Sequence, residues 1–238
     1  MDVLLKKVYV GMPKTIGEKE AANPMEREWR SAIYKEPIQG PVWVGKTKII
    51  GDGQADLKNH GGPEKAVLGY SYENYPYWQK EFGVSEISSG GMGENFVMEN
   101  IAENRIAIGD TFQIGEAIVQ VSQPRQPCWK LARRFKIKDL ALLIQNTGKT
   151  GWYFRVLKEG FVEEGQTFVL VNRPYPQWTI DRCNQIIHTK KPIIEELREL
   201  AQCELLAPGL RTTVEKRAEK RETPDIRNRV FGPNDALL

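Results

Sequence analysis

The sequence predicts a mainly β fold with added helices: a β-barrel or sandwich over residues 1–175, then a three-helix domain over residues 176–238. Three observations lead there. Short runs rich in Val, Ile, Tyr, Phe, Trp or Thr, each bounded by turn residues, fill the first part of the chain. Their irregular spacing suits a barrel or a sandwich. After "NRPYPQW", where two prolines read as a linker, the strand pattern stops and only amphipathic helical stripes remain.

Taken in order, strands are expected at Lys7–Val10, Trp29–Lys35, Lys46–Ile50, Ala66–Tyr70, Ala117–Val121, Gly151–Leu157 and Thr167–Asn172. "FQIGEAIVQV" reads as a hairpin turning at Gly115-Glu116. Two helices interrupt the strands. One follows Ser71, whose hydroxyl is placed to cap it, and stops at Gly83. The other carries Leu140, Leu143 and Ile144 on one side and stops at Gly148. In the tail, Thr179 can cap a helix bearing Ile180, Cys183 and Ile187. Pro192 suits the first turn of a second helix with Ile194, Leu197, Leu200 and Ala201 on one face. Leu210, Val214 and Ala218, spaced by four, mark a third.

The net charge of +3 is too small to indicate nucleic-acid binding by electrostatics. The stretch "VEKRAEKRETPDIRNRV" holds six basic side chains alternating with acids, and reads as a solvated helix face. No apolar run approaches twenty residues, and the N-terminus lacks the pattern of a signal peptide, so a cytoplasmic protein is expected. Three cysteines without a C-x-x-C pair and two histidines exclude a closed zinc site, an iron–sulfur cluster and a disulfide framework.

Chemistry concentrates in four places. In "SQPRQPCWKL", Pro124 and Pro127 stiffen the segment around Cys128, and Arg125 would favour its thiolate if the turn joins them. Cys183 and Cys203 fall on helical stripes and read as structural. In "KNHGGPEKA", Gly61 and Gly62 can turn backbone N–H groups inward as an anion nest, with Lys58 and Lys65 beside it. Neither a P-loop nor a Rossmann fingerprint is present. In "GGMGENF", Gly93 lets backbone approach a ligand, and Glu94 and Asn95 add an acceptor and an amide. In "NTGKTGWYFR", Arg155 could clamp a phosphate or form a plain ion pair. A triad hydrolase is unattractive, while a Cys128–His60 thiol enzyme stays open.

Together and in this order, "NHGGPEKAV", "GGMGENF", "IGD", "VSQPRQPCWKL" and "NTGKTGWYFRVL" resemble the MOSC domain, and within it the stand-alone YiiM-like group linked to hydroxylaminopurine resistance. The resemblance is dense over residues 40–173 and extends to the helical tail. It implies a β-barrel that binds the molybdenum cofactor, a pterin dithiolene bearing phosphate, with Cys128 as thiolate ligand to the metal. It implies reduction of N–OH to N–H, with His60 and Asn59 near the departing oxygen. It also implies cofactor contacts at Gly61, Gly62, Lys65, Gly93, Glu94, Asn95, Ser122, Gln123, Arg125 and Arg155. No pyridoxal-phosphate desulfurase domain and no flavin or iron–sulfur motif accompanies these residues, so an external electron-donor reductase is the expected partner, with a small N-hydroxylated molecule as substrate and neither nucleic acid nor membrane as partner. A cofactor or sulfur carrier without turnover is the competing expectation.

Overall fold

The computed structural model describes residues 2–220 and 225–237. The strands are β1 (Val3–Val10), β2 (Lys14–Ile16), β3 (Trp29–Ser31), β4 (Glu36–Pro37), β5 (Val42–Val44), β6 (Val67–Ser71), β7 (Phe96–Glu99), β8 (Thr111–Ile114), β9 (Ala117–Pro124), β10 (Trp152–Lys158), β11 (Gly160–Val162) and β12 (Thr167–Asn172). Seven of them close a barrel in the order β1-β7-β6-β10-β9-β8-β12, and β12 pairs with β1 through Val3↔Phe168 and Leu4↔Thr167. Closure leaves no long bare edge in the ring. Within it β6 and β7 alone run parallel. That pairing needs a crossover, which carries the helix α2 described below.

The barrel interior is aromatic. Phe168 stacks on Phe154 at 6.3 Å and meets Phe96 and Phe112 edge-on, each at 5.9 Å. Such rings fill a narrow lumen with large area and few rotamers. The predicted hairpin is present, with Ile114 opposite Ala117. Two strand expectations change. Trp29–Lys35 is a strand only to Ser31, and Lys46–Ile50 is not a strand: β5 lies earlier and pairs with β11, leaving Ile49 a single bridge to Val44. Apolar content alone does not say which short run finds a partner.

The helices are α1 (Leu57–His60), α2 (Asn74–Phe82), α3 (Lys130–Phe135), α4 (Leu140–Thr147), α5 (Ile180–His188), α6 (Ile194–Ala201), α7 (Pro208–Lys220) and α8 (Arg227–Val230). Gly83 and Gly148 end α2 and α4 in left-handed conformations, as their positions in the sequence indicate. Thr179 caps α5 by accepting the Arg182 N–H at 3.1 Å. Ser71 does not cap α2; it ends β6, and its hydroxyl donates to Glu73 at 2.7 Å. Pro192 lies before α6 rather than in its first turn. The helices α1, α3 and α8 are not among those expected from the sequence.

The tail is packed on the barrel rather than tethered by a linker. Trp178, Ile180, Cys183, Leu197 and Leu206 join one continuous apolar cluster with Ile106, Val119 and Phe154. Arg173 pairs with the buried Asp110 at 2.6 Å. Cys203 sits beyond the end of α6, but like Cys183 it is buried, and burial pushes both thiols up. The basic C-terminal stretch is not uniformly solvated either. Arg217 is buried and donates to the Ile186 carbonyl at 3.2 Å, at the end of α5. Residues 221–224 of that stretch lie outside the described residues.

Candidate active-site cleft

Three loops converge on Cys128. It follows β9, where Pro124 and Pro127 restrict the backbone. Its Sγ lies 3.9 Å from Nε2 of His60, the last residue of α1. Arg125 donates from Nη2 to the Met92 carbonyl at 2.8 Å, which ties this segment to the loop before β7. Cys128 is partly exposed, at the junction of two spaces. One is an inner recess of about 90 Å³ that reaches Ile33, Lys35, Asp52, Gly93 and Asn95. The other is an outer chamber of about 870 Å³, walled by α1, β3, α3 and the segment around Arg229 and Pro233.

Burial alone would push the Cys128 thiol up. The contact and charge of His60, the Lys130 N–H and the Arg125 guanidinium outweigh it and bring it from 9.0 down to about 7. Tyr153, beside it in both spaces, is pushed up to about 12 by burial and stays a neutral phenol. Burial also holds Lys65 below the ordinary lysine range, against the pull of Asp56.

The outer chamber is strongly cationic. Lys19, Arg27, Arg30, Lys65, Lys130, Arg133 and Arg229 line it, against two carboxylates, Glu28 and Asp56. None of these seven cations forms an ion pair among the described residues. At the recess, Arg125 is 6% exposed and its Nη1 has no hydrogen-bond partner among the described residues. A buried guanidinium N–H without an acceptor is costly, so this arrangement suits an anionic ligand with several acceptor atoms.

Of the residues singled out in the sequence, Cys128, His60, Lys65, Gly93, Asn95 and Arg125 line the recess, and Asn59 and Gln123 join the outer chamber. Asn59 is engaged there already, donating from its side chain to Asp56 at 2.8 Å. The others are not brought to the cleft. Gly61 follows α1 in extended backbone, and Gly62 (φ 92°) starts the 3-10 turn Pro63–Lys65. Glu94 is buried, accepting from the Tyr75 hydroxyl and from the Gly90 N–H at 2.7 Å. The Ser122 hydroxyl lies between the carbonyls of Glu64 (2.6 Å) and Tyr153 (3.1 Å). Arg155, for which the sequence allows a phosphate clamp or an ion pair, forms the ion pair and is not among the implied cofactor contacts that reach the cleft. It holds Glu64 in a fork, reaches Gln120 Oε1 at 2.8 Å and the Leu205 carbonyl at 2.8 Å, and so joins β10 to the turn before β6 and to the tail.

The sequence reading missed Lys35, Asp52, Lys130, Tyr153 and Arg229. Lys130 and Tyr153 lie inside the quoted motifs but were not singled out there, whereas Lys35, Asp52 and Arg229 reach the cleft from distant elements that no spacing or motif marks.

Profiles of known families match the chain in two places: the MOSC domain over residues 56–169, and the "YiiM-like, 3-alpha helix domain" over residues 178–221. The protein YflK of Bacillus subtilis (strain 168), described as uncharacterized, is 39% identical over 198 residues, covering 83% of this chain and 89% of that one. A protein of Gibberella moniliformis (strain M3125 / FGSC 7600) named "Reductase" is 37% identical over 178 residues, or 74% of this chain but 32% of that longer protein. The crystal structure of YiiM from Geobacillus stearothermophilus superposes with a TM-score of 0.75 at 35% identity, covering 91% of this chain and 99% of that one.

Proposed function

Because this chain belongs to the MOSC domain family and carries the YiiM-like three-helix region, a family generally associated with molybdenum-cofactor binding, we propose that it binds that cofactor and reduces N-hydroxylated compounds. The carrying observation is a thiol lowered to about 7, set between a cationic chamber and a recess with an unsatisfied guanidinium.

The residues fit the group. Molybdenum held by dithiolene sulfur accepts a further soft thiolate, and Cys128 supplies one. The phosphate and polar pterin edges need donors, and Arg125 Nη1 with the chamber lysines and arginines provides them. When bound, the cofactor supplies the two-electron chemistry. The chain's own part is to bind, to orient and to deliver protons. Asn95 fixes the floor of the recess, donating to the Tyr9 carbonyl at 3.1 Å and to Asp52 Oδ2 at 3.0 Å. The His60 ring, beside the sulfur, holds the thiolate by hydrogen bond. The reaction is R–NH–OH + 2 H⁺ + 2 e⁻ → R–NH₂ + H₂O, with electrons from an external reductase.

The test uses protein made in a host that synthesises the cofactor. About one molybdenum per chain is expected, lost in Cys128→Ser. Turnover of hydroxylaminopurine or a hydroxyamidine with an artificial electron donor is expected from the loaded protein. Full metal content with no turnover across several N-hydroxylated substrates would support a carrier instead. Absence of molybdenum would favour a Cys128–His60 thiol enzyme, a reading that their 3.9 Å contact also serves.

A further inference from the structure

Lys35 and Asp52 form an ion pair with side chains only 6% and 2% exposed, and both line the inner recess that opens beside Cys128. Burying two opposite charges costs more than an apolar pair of the same shape in many folds, so stability does not account for the pair's place. Its geometry is also asymmetric. Asp52 accepts three hydrogen bonds: Oδ1 accepts the Gly11 N–H at 2.8 Å as well as the lysine, and Oδ2 accepts from Asn95 at 3.0 Å. The Lys35 ammonium has three N–H bonds. Among the described residues, Asp52 is its one hydrogen-bond partner. Two N–H bonds therefore remain for whatever occupies the recess. About 90 Å³ accommodates a head group of a few heavy atoms such as N–OH. The recess wall also includes the apolar side chains of Ile33, Leu68 and Met92.

Resting on the reading of the chain as an N-hydroxyl reductase, we infer that Lys35 is the catalytic proton donor to the departing oxygen and that Asp52 is its positioning residue. The N–O bond would break on uptake of the two electrons that the external reductase provides, the reductase being the species oxidised. One Lys35 N–H proton passes to the oxygen, so water leaves instead of hydroxide. Solvent supplies the second proton, to nitrogen, and later reprotonates the amine. Burial already biases Lys35 toward releasing a proton, against the charges of Asp52 and Glu94. A positioned acid of this kind contributes on the order of 10²–10⁴-fold in rate.

The experiment compares the molybdenum-loaded enzyme with Lys35→Met and with the double variant Lys35→Met/Asp52→Asn, which leaves no lone buried charge. We expect unchanged molybdenum content, KM within about threefold, kcat lower by about 100-fold or more, and recovery of kcat with added methylamine. Turnover in the double variant within about threefold of the parent overturns the assignment and leaves the reductase reading standing. Loss of molybdenum, or a loss of kcat that no amine restores, makes the pair a structural clamp and overturns it as well. Failure of the reductase reading would be seen separately, as absent turnover in the unsubstituted loaded enzyme.

Discussion

The carbonyl of Arg229 accepts the Trp129 N–H at 2.9 Å, so a residue near the far end of the chain holds the peptide that follows Cys128. The same arginine donates from Nη1 to the Pro127 carbonyl at 2.6 Å and from Nη2 to Gln145. Both peptides flanking the sulfur are thus held from α8. Next along, Gly232 packs so closely on the Trp129 indole that a Cβ would fall inside its van der Waals shell, and Asn234 accepts from Arg133 at 2.7 Å. Arg229→Ala should free the Pro127 carbonyl and loosen the loop. Amide exchange in residues 126–130 is expected to quicken by about tenfold or more, with a stability loss of about 1–3 kcal/mol. The Trp129 N–H keeps its backbone acceptor in this variant, so unchanged exchange across the whole segment would show that the Arg229 side chain does not hold the loop.

The Cys128 thiol gives a pH signature that needs no cofactor. Its lowered value means that the thiolate, the reactive form, is present at lower pH than in an ordinary cysteine. In cofactor-free protein the rate of iodoacetamide alkylation should rise with a midpoint near 7. His60→Ala removes the contact and the charge that oppose burial, so its midpoint should move up by roughly one unit or more. A parent midpoint close to 9.0 would contradict the electrostatics of the cleft.

Arg155 separates structural from cofactor-binding cations. Since it is held by Glu64, Gln120 and the Leu205 carbonyl, Arg155→Met should leave Glu64 and that carbonyl without this partner. The expected cost is about 2–4 kcal/mol in denaturant unfolding, because partly buried charged groups are stranded. Molybdenum content of the folded fraction should stay at the parent level. A selective fall in metal content at unchanged stability would return Arg155 to the cleft.

Much of the architecture was legible in the sequence because it is written in local terms. The turn at Gly115-Glu116, the left-handed stops at Gly83 and Gly148 and the Thr179 cap each depend on a few adjacent residues. Cys128 stood out for the same reason: its prolines and Arg125 are sequence neighbours. Alternation along β10 placed Arg155 on the face opposite Phe154, but a face does not name a partner, and Glu64 lies 91 positions away.

By itself, then, the sequence determined a strand-rich body, three amphipathic helices behind it, and a proline-stiffened loop presenting one cysteine. Only the tertiary structure decided what surrounds that sulfur. Strand pairing closed the barrel and brought Lys35 to Asp52, and the return of the chain through α8 set Arg229 against the loop. The physical reason is range. Turns, caps and proline restriction act over a few residues, whereas burial of a charge and the company it finds depend on contacts between segments that the chain brings together only when the core forms.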